Sequence, residues 1–130
     1  MMGVSYGEDY KYQSPEHVEG AITTSLQEAR AQFDKGTIFI DVRNPRLYKK
    51  KHIPGAYHLD LNDGFNEAAL AAIVKKDQPV VIYCTGIKCS RSYKACKQAI
   101  SWGYTKVYYF RGGSIEWRGA GNPVTIGTDR

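Results

Sequence analysis

"QPVVIYCTGIKCSRSYKACKQAISWG" (residues 78–103) joins an apolar run, a short turn and a helical pattern without any spacer. The first six residues are mainly apolar and β-branched, as in a strand that is buried on both faces. From residue 90 onward, small and apolar residues recur on one helical face until Gly103 ends the pattern. The stretch therefore predicts a buried strand, a turn that begins at Cys84 and a helix.

Strand and helix patterns alternate in the same way along the rest of the chain. Ser25 and Glu28, for example, have the spacing of a capping box at the start of a helix. The predicted strands lie within residues 21–25, 37–42, 53–61, 78–83 and 106–110, and the predicted helices within 26–36, 44–52, 66–76, 90–103 and 112–121. This alternation predicts an α/β fold with a mainly parallel sheet and helices on both faces.

The length of 130 residues suggests one domain. We expect an N-terminal arm or linker over residues 1–20, a folded domain over 21–126 and a short tail over 127–130. No apolar run is long enough to span a membrane, and the N-terminus lacks the apolar core of a signal peptide. The expected protein is soluble and cytoplasmic, or periplasmic if a signal was removed, and it could also be one domain of a larger protein.

The chain has a net charge of +5, with one basic cluster between Arg43 and Lys51. The basic residues are not interleaved with aromatic residues as in a known nucleic-acid-binding motif, so no nucleic-acid partner is expected. A solvated basic face and a site for a small anionic substrate both fit this charge.

The three cysteines follow the spacing C-x4-C-x6-C, which matches neither paired zinc ligands nor the redox motif CxxC. Cys84 is a candidate nucleophile, although buried structural cysteines are common. Cys96 falls on the small-residue face of the predicted helix and is expected to serve packing. Cys89 has three interpretations: a filler at the helix start, a resolving thiol for Cys84, or a second group of an anion pocket.

The turn after Cys84 has features that activate a thiol. Its backbone N–H groups can converge on one point, and the N-terminus of the following helix adds partial positive charge. Gly86 permits the dihedral angles of a tight turn, while Lys88 and Arg91 add formal positive charge. These features favour a Cys84 thiolate and the binding of an anion. Such a site suits either sulfur transfer or phosphate-ester hydrolysis.

Three separated motifs give a more specific indication. They are IDVRNPRLYKKKHIPGA (40–56), VVIYC (80–84) and YYFRGGSIEW (108–117). Together, in this order, they resemble the motifs of the single-domain rhodanese family over about residues 21–126. The resemblance implies a five-stranded, mostly parallel sheet flanked by helices.

The resemblance also implies a thiosulfate sulfurtransferase reaction. The Cys84 thiolate would attack the outer sulfur of a small anionic donor such as thiosulfate, sulfite would leave, and a thiol or protein cysteine would accept sulfur from the Cys84 persulfide. No metal or organic cofactor would be required. The implied substrate-binding residues are Thr85, Gly86, Ile87, Lys88, Cys89, Ser90 and Arg91.

The loop departs from the family pattern, in which an arginine follows the cysteine after four residues. Here six residues separate Cys84 from Arg91, and Cys89 stands where that arginine is expected. Either the loop is longer, or Arg91 belongs to the helix and Lys88 supplies the charge of the pocket. Two alternatives therefore stay open: a Cys84–Cys89 redox switch or sensor, and a rhodanese-like phosphatase or arsenate reductase.

Three further residues are expected to support the site. Asp41 is expected to hydrogen-bond neighbouring loops, and Arg111, just past a strand end, is a candidate second anion contact. Arg43 is expected to lack its usual ion-pair partner, because Leu47 stands where the family often has an acid. His52 is expected to hold a turn rather than to act as a general base.

Overall fold

A computed structural model describes residues 12–130 of the chain. The strands are β1 (Ala21–Thr23), β2 (Ile38–Asp41), β3 (Tyr57–His58), β4 (Val80–Tyr83) and β5 (Val107–Phe110). The helices are α1 (Leu26–Asp34), α2 (Pro45–Lys50), α3 (Glu67–Ala71), α4 (Arg91–Ser101) and α5 (Gly113–Gly119).

The strands form one parallel sheet in the order β1-β5-β4-β2-β3. All four residues of the central strand β4 are buried. Because the strands are parallel, the ends of β2, β4 and β5 meet at one edge of the sheet, where the chain continues into Val42, Cys84 and Arg111. The α/β class and the five-stranded parallel sheet that were predicted are confirmed.

Alternate residues of the strands pack into two apolar layers. Val80 and Ile82 of β4 lie in the layer with α3 and α4, whereas Val81 and Tyr83 lie in the layer with α1, α2 and α5. This alternation follows from the period of two along a strand. It leaves both faces of the sheet covered by helices, as predicted.

Trp117 of α5 is fully buried in the second layer. Its ring contacts Phe33, Phe39 and Phe110 at centroid distances of 5.2, 6.2 and 6.4 Å. Its indole N–H donates to the Pro123 carbonyl oxygen at 2.7 Å, so no polar group of the side chain is left unsatisfied. The contacts fix α5 on the sheet.

Helix α3 is shorter than the pattern over residues 66–76 predicts. The backbone N–H groups of Ile73 and Val74 both donate to the Leu70 carbonyl oxygen, at 3.0 and 2.9 Å, which tightens the chain into a turn. Val74 is thereby buried beneath the sheet. Tertiary packing therefore overrides a helical pattern that is favourable by itself.

Residues 1–11 of the predicted arm (1–20) lie outside the described residues. The following segment packs against the carboxyl edge of the sheet. The backbone N–H and the hydroxyl of Ser14 donate to the Ile87 carbonyl oxygen, at 2.7 and 3.0 Å, and the Tyr109 hydroxyl donates to the Pro15 carbonyl oxygen at 2.8 Å. Between residues 12 and 130, no helix has the length and apolar character needed to cross a membrane.

Replacing Trp117 with alanine should lower the free energy of unfolding by about 3–5 kcal/mol, because a large buried side chain leaves a cavity. Ile115→Ala in the same helix is the matched control. Its side chain is 56% exposed, so a change of about 0.5 kcal/mol or less is expected. Urea denaturation of both variants measures the difference. Equal losses in the two variants would contradict the packing role of Trp117.

Candidate active site

Cys84 follows the last residue of β4 and is 1% exposed. Its sulfur accepts a hydrogen bond from the Ser92 backbone N–H at 3.3 Å, in the first turn of α4. The sulfur also lies 3.3 Å from the Ser92 hydroxyl oxygen and 3.8 Å from the Cys89 carbonyl oxygen. The thiol therefore points towards the positive end of α4. Ser92 was not singled out from the sequence, although its place in the first helical turn was a usable signal.

The start of α5 closes over the end of β4. The backbone N–H groups of Ser114 and Ile115 donate to the carbonyl oxygens of Cys84 and Thr85, both at 2.9 Å. Gly113 has φ of +58°, and a methyl group there would overlap the Cys84 carbonyl oxygen. Only glycine combines this backbone conformation with so close an approach.

A cavity of about 360 Å³ lies beside the loop. Its walls are Thr85, Gly86, Ile87, Lys88 and Cys89 from the loop and Gly112, Ile115 and Glu116 from the start of α5. Five of the seven residues predicted to bind substrate therefore share one cavity. Cys84, Ser90 and Arg91 lie outside its lining. The Cys84 thiol is thus buried next to a cavity-lining residue, Thr85, rather than on the wall itself.

Cys89 is half-buried, and its side chain lies next to that of Cys84. The Cys84 sulfur is 3.8 Å from the Cys89 carbonyl oxygen, and the Cys89 side chain interacts with the Cys84 side chain and with the backbone of Arg91 and Thr85. The loop is folded back by a bond of 3.0 Å from the Cys89 N–H to the Gly86 carbonyl oxygen. The converging amide groups predicted for Cys84 therefore surround the sulfur of Cys89.

This arrangement corrects the expectation that the loop favours a Cys84 thiolate. Burial, followed by the neighbouring Cys89, raises the pKa of the Cys84 thiol. The hydrogen bond from Cys84, with the amides of Arg91 and Thr85, lowers the pKa of Cys89 to about 6. Burial therefore disfavours a charged Cys84 more strongly than a charged Cys89, because charge is less well solvated at the more buried sulfur.

Arg91 is the first residue of α4, as one of the two interpretations of the long loop had it. Its guanidinium donates to the Asp60 carboxylate at 2.7 Å and to the Val42 carbonyl oxygen at 3.0 Å. Lys88, in contrast, lies on the cavity wall. Asp60 was missed in the sequence analysis, although its place near the end of a predicted strand was a usable signal.

Arg43 lacks an acidic partner at position 47, as expected, but it forms an ion pair with another residue. The partner is Asp41, two residues earlier, at 2.7 Å, and both side chains are buried. The guanidinium also donates to the Lys51 carbonyl oxygen at 2.6 Å and approaches the Ser114 hydroxyl at 3.4 Å. The pair therefore connects the end of β2 with α5.

Arg111 and His52 bind backbone carbonyl groups and do not line the cavity. The Arg111 guanidinium donates twice to the Ser14 carbonyl oxygen, at 3.1 and 2.7 Å. The ring nitrogens of His52 each lie 2.8 Å from a carbonyl oxygen, that of Tyr48 on one side and that of Asp129 on the other. Arg111 therefore holds the N-terminal segment, and His52 holds the C-terminal one.

Tyr12 is a further neighbour of the thiol pair that the sequence analysis did not identify. Burial and the nearby Tyr93, to which it is hydrogen-bonded, raise the pKa of its phenol, and Cys89 lies close enough to add to this effect.

In the part of the chain that the structure describes, no group of three or more His, Cys, Asp or Glu side chains is arranged to hold a metal ion.

Comparisons with known proteins identify the family and the fold. The model of the rhodanese-like domain family matches residues 25–120. The thiosulfate sulfurtransferase GlpE of Pseudomonas fluorescens is 34% identical over 92 residues, which are 71% of this chain and 80% of that protein.

Two solved structures show the same fold. BH2092 from Bacillus halodurans superposes with a TM-score of 0.73 at 23% identity, over 97% of this chain and 87% of the other. The human single-domain sulfurtransferase TSTD1 superposes with a TM-score of 0.64 at 27% identity, over 75% of this chain and 95% of the other.

Gly113→Ala should lower the free energy of unfolding by at least about 2 kcal/mol, because it forces a methyl group against the Cys84 carbonyl oxygen at positive φ. Gly119→Ala, at the other end of α5, is the matched control. No atom lies within 4 Å of the added methyl group, so stability should stay equal or rise by up to about 1 kcal/mol. Thermal unfolding compares the two, and similar midpoints would refute the close-approach argument.

Alkylation by iodoacetamide should modify Cys89 first, with a rate that rises through pH about 6, because the thiolate is the reactive form and the pKa of Cys89 is lowered to about 6. Cys84→Ala removes the hydrogen-bond donor and should move the midpoint up towards the ordinary value of about 8.5. Cys96→Ala should leave it unchanged. Peptide mapping at each pH identifies the modified residue, and a midpoint near 8.5 in the unmodified chain would contradict this assignment.

Proposed function

Because the chain belongs to the rhodanese-like domain family, we propose that it is a sulfurtransferase that takes sulfur from thiosulfate and carries it as a persulfide on Cys84. The observation that carries the proposal is the Cys84 thiol at the end of β4, next to the loop that lines the cavity and beside the Cys89 side chain. A nucleophilic thiol needs a nearby base, and this contact supplies one.

The first half-reaction uses the one negative charge of the thiol pair. Thiosulfate enters the cavity, where Lys88 lies on the wall. Cys89 accepts the proton of Cys84 as the Cys84 sulfur attacks the outer sulfur of thiosulfate and the sulfur–sulfur bond of the donor breaks. Sulfite leaves with the bonding electrons. In the resting enzyme Cys84 can keep its proton, because its burial disfavours a charged sulfur. The proton moves to Cys89 only as the Cys84 sulfur attacks.

The persulfide on Cys84 would be stabilised by groups already in place. The Ser92 N–H contacts the Cys84 sulfur, and the N–H groups of Thr85 and Arg91 point to the position of the Cys89 sulfur beside it. The N-terminus of α4, a helix of 11 residues, adds its partial positive charge. Fixed donors of this kind stabilise a developing anion without reorganisation during the reaction.

The second half-reaction requires a thiol acceptor, either a small thiol or a protein cysteine. The apolar side chains of Ile87 and Ile115 form part of the cavity wall, and Ile115 is largely exposed at its mouth. These two side chains favour an acceptor that presents its thiol next to an apolar group. The acceptor would approach from the side of α5.

The redox-switch alternative rests on the same thiol pair. Both cysteines are free, and their side chains are neighbours in one loop, as a Cys84–Cys89 disulfide would require. The phosphatase or arsenate-reductase alternative has less support, because a phosphate site of that kind uses its arginine and Arg91 is bonded to Asp60. The redox switch is therefore the second candidate. It is distinguished from the sulfurtransferase by formation of a Cys84–Cys89 disulfide with an oxidant and without any sulfur donor.

Reduced protein incubated with thiosulfate should release sulfite in an amount equal to the protein, because Cys84 takes one sulfur atom per active site. Cys84→Ser should release none, and Cys96→Ala should behave as the parent chain because Cys96 lies in the core next to α4. Sulfite assay after rapid desalting measures the outcome. Absence of sulfite from the parent chain would refute the thiosulfate reaction, and a disulfide formed by mild oxidant alone would then favour the redox switch.

A further inference from the structure

The two thiols at the site differ in their exposure to solvent. Cys84 is 1% exposed and lies beneath the cavity, whereas Cys89 is half-buried and forms part of the cavity wall. A persulfide on Cys84 alone would need an external acceptor to reach a covered sulfur. Cys89, in contrast, already lies beside Cys84, with its carbonyl oxygen 3.8 Å from the Cys84 sulfur.

We propose that Cys89 attacks the Cys84 sulfur of the persulfide, so that a Cys84–Cys89 disulfide forms and hydrosulfide is released into the cavity. The inference rests on the proposed persulfide and extends it, because it makes the first sulfur acceptor internal and the product sulfide. The external reactant is then a thiol or dithiol that reduces the disulfide, and its first point of attack is the accessible sulfur of Cys89.

The reaction balances without a further reactant. After sulfite has left, Cys84 carries an anionic persulfide and Cys89 carries the proton that it accepted. That proton passes from Cys89 to the outer sulfur, the Cys89 sulfur bonds to the Cys84 sulfur, and the bond between Cys84 and the outer sulfur breaks. The outer sulfur leaves as hydrosulfide with the electron pair. It is reduced, while the two cysteines are oxidised to the disulfide.

The burial of Cys84 decides which sulfur of the persulfide is attacked. Attack on the outer sulfur would move the persulfide to Cys89 and expel Cys84 as a thiolate beneath the cavity, where its charge is poorly solvated. Attack on the Cys84 sulfur expels hydrosulfide instead, and this small anion leaves through the cavity. Thiol–disulfide exchange is faster when the leaving group is the better-stabilised anion.

The fold of the loop holds Cys89 in place for this step. The bond from the Cys89 N–H to the Gly86 carbonyl oxygen turns residue 89 back over Cys84, and the Cys89 carbonyl oxygen lies 3.8 Å from the Cys84 sulfur. The third thiol does not compete, because Cys96 is fully buried in the apolar layer with Ala95 and Ala99. The disulfide therefore forms within the loop.

The test is a single turnover under anaerobic conditions, with reduced protein, one equivalent of thiosulfate and no added thiol. The parent chain and Cys96→Ala should release equal amounts of sulfite and sulfide and lose two hydrogen atoms in intact mass. Cys89→Ser should release sulfite more slowly and no sulfide, because its base and its resolving thiol are both missing. It should gain one sulfur atom, on the peptide that contains Cys84.

Two results would overturn the proposal while leaving the sulfurtransferase function intact: a parent chain that releases sulfite but keeps the added sulfur on Cys84, or one that carries it on Cys89. Absence of sulfite from every variant would refute the thiosulfate reaction instead. The same comparison is then made with glutathione persulfide as the sulfur donor. Disulfide formation in the parent chain but not in Cys89→Ser supports the resolving role, and equal behaviour of the two overturns it.

Discussion

The close packing of α5 against the end of β4 is the contact on which the site depends. Two backbone hydrogen bonds, from Ser114 and Ile115, bind the carbonyl groups of Cys84 and Thr85, and the positive φ of Gly113 brings the chains together. The loop therefore has one wall made by its own residues and one made by α5. The shape of the loop follows from backbone geometry. Gly112 and Gly113 allow this shape because they have no side chain.

A buried ion pair supports this contact from below. The Arg43 guanidinium contacts the Asp41 carboxylate, the Lys51 carbonyl oxygen and the Ser114 hydroxyl. It therefore links β2, the end of α2 and α5. Buried pairs of this kind contribute more to a defined arrangement than to net stability, since desolvation offsets much of their attraction. Here the arrangement is the position of α5 relative to the loop.

The thiol pair shows how burial and local geometry divide the chemical roles. The loop amides and the start of α4 stabilise negative charge, but the sulfur that receives most of these donors is that of Cys89. Burial raises the pKa of Cys84, whereas the Cys84 side chain and the backbone of Arg91 and Thr85 lower that of Cys89. In the proposed reaction Cys89 takes the place of a histidine base, which fits the engagement of His52 with two backbone carbonyl groups.

The sequence by itself determined the strand–turn–helix around Cys84, the alternation of elements and the parallel sheet, because hydrophobic period, the Ser25 capping box and the terminal glycines are local signals. It also placed five of the loop residues together, since a tight turn keeps neighbours close. Only the tertiary structure decided that Arg91 binds Asp60, that Arg43 binds Asp41, and that the pKa of Cys89 is lowered while that of Cys84 is raised. Partner choice and burial depend on distances across the folded chain, and no local pattern contains them.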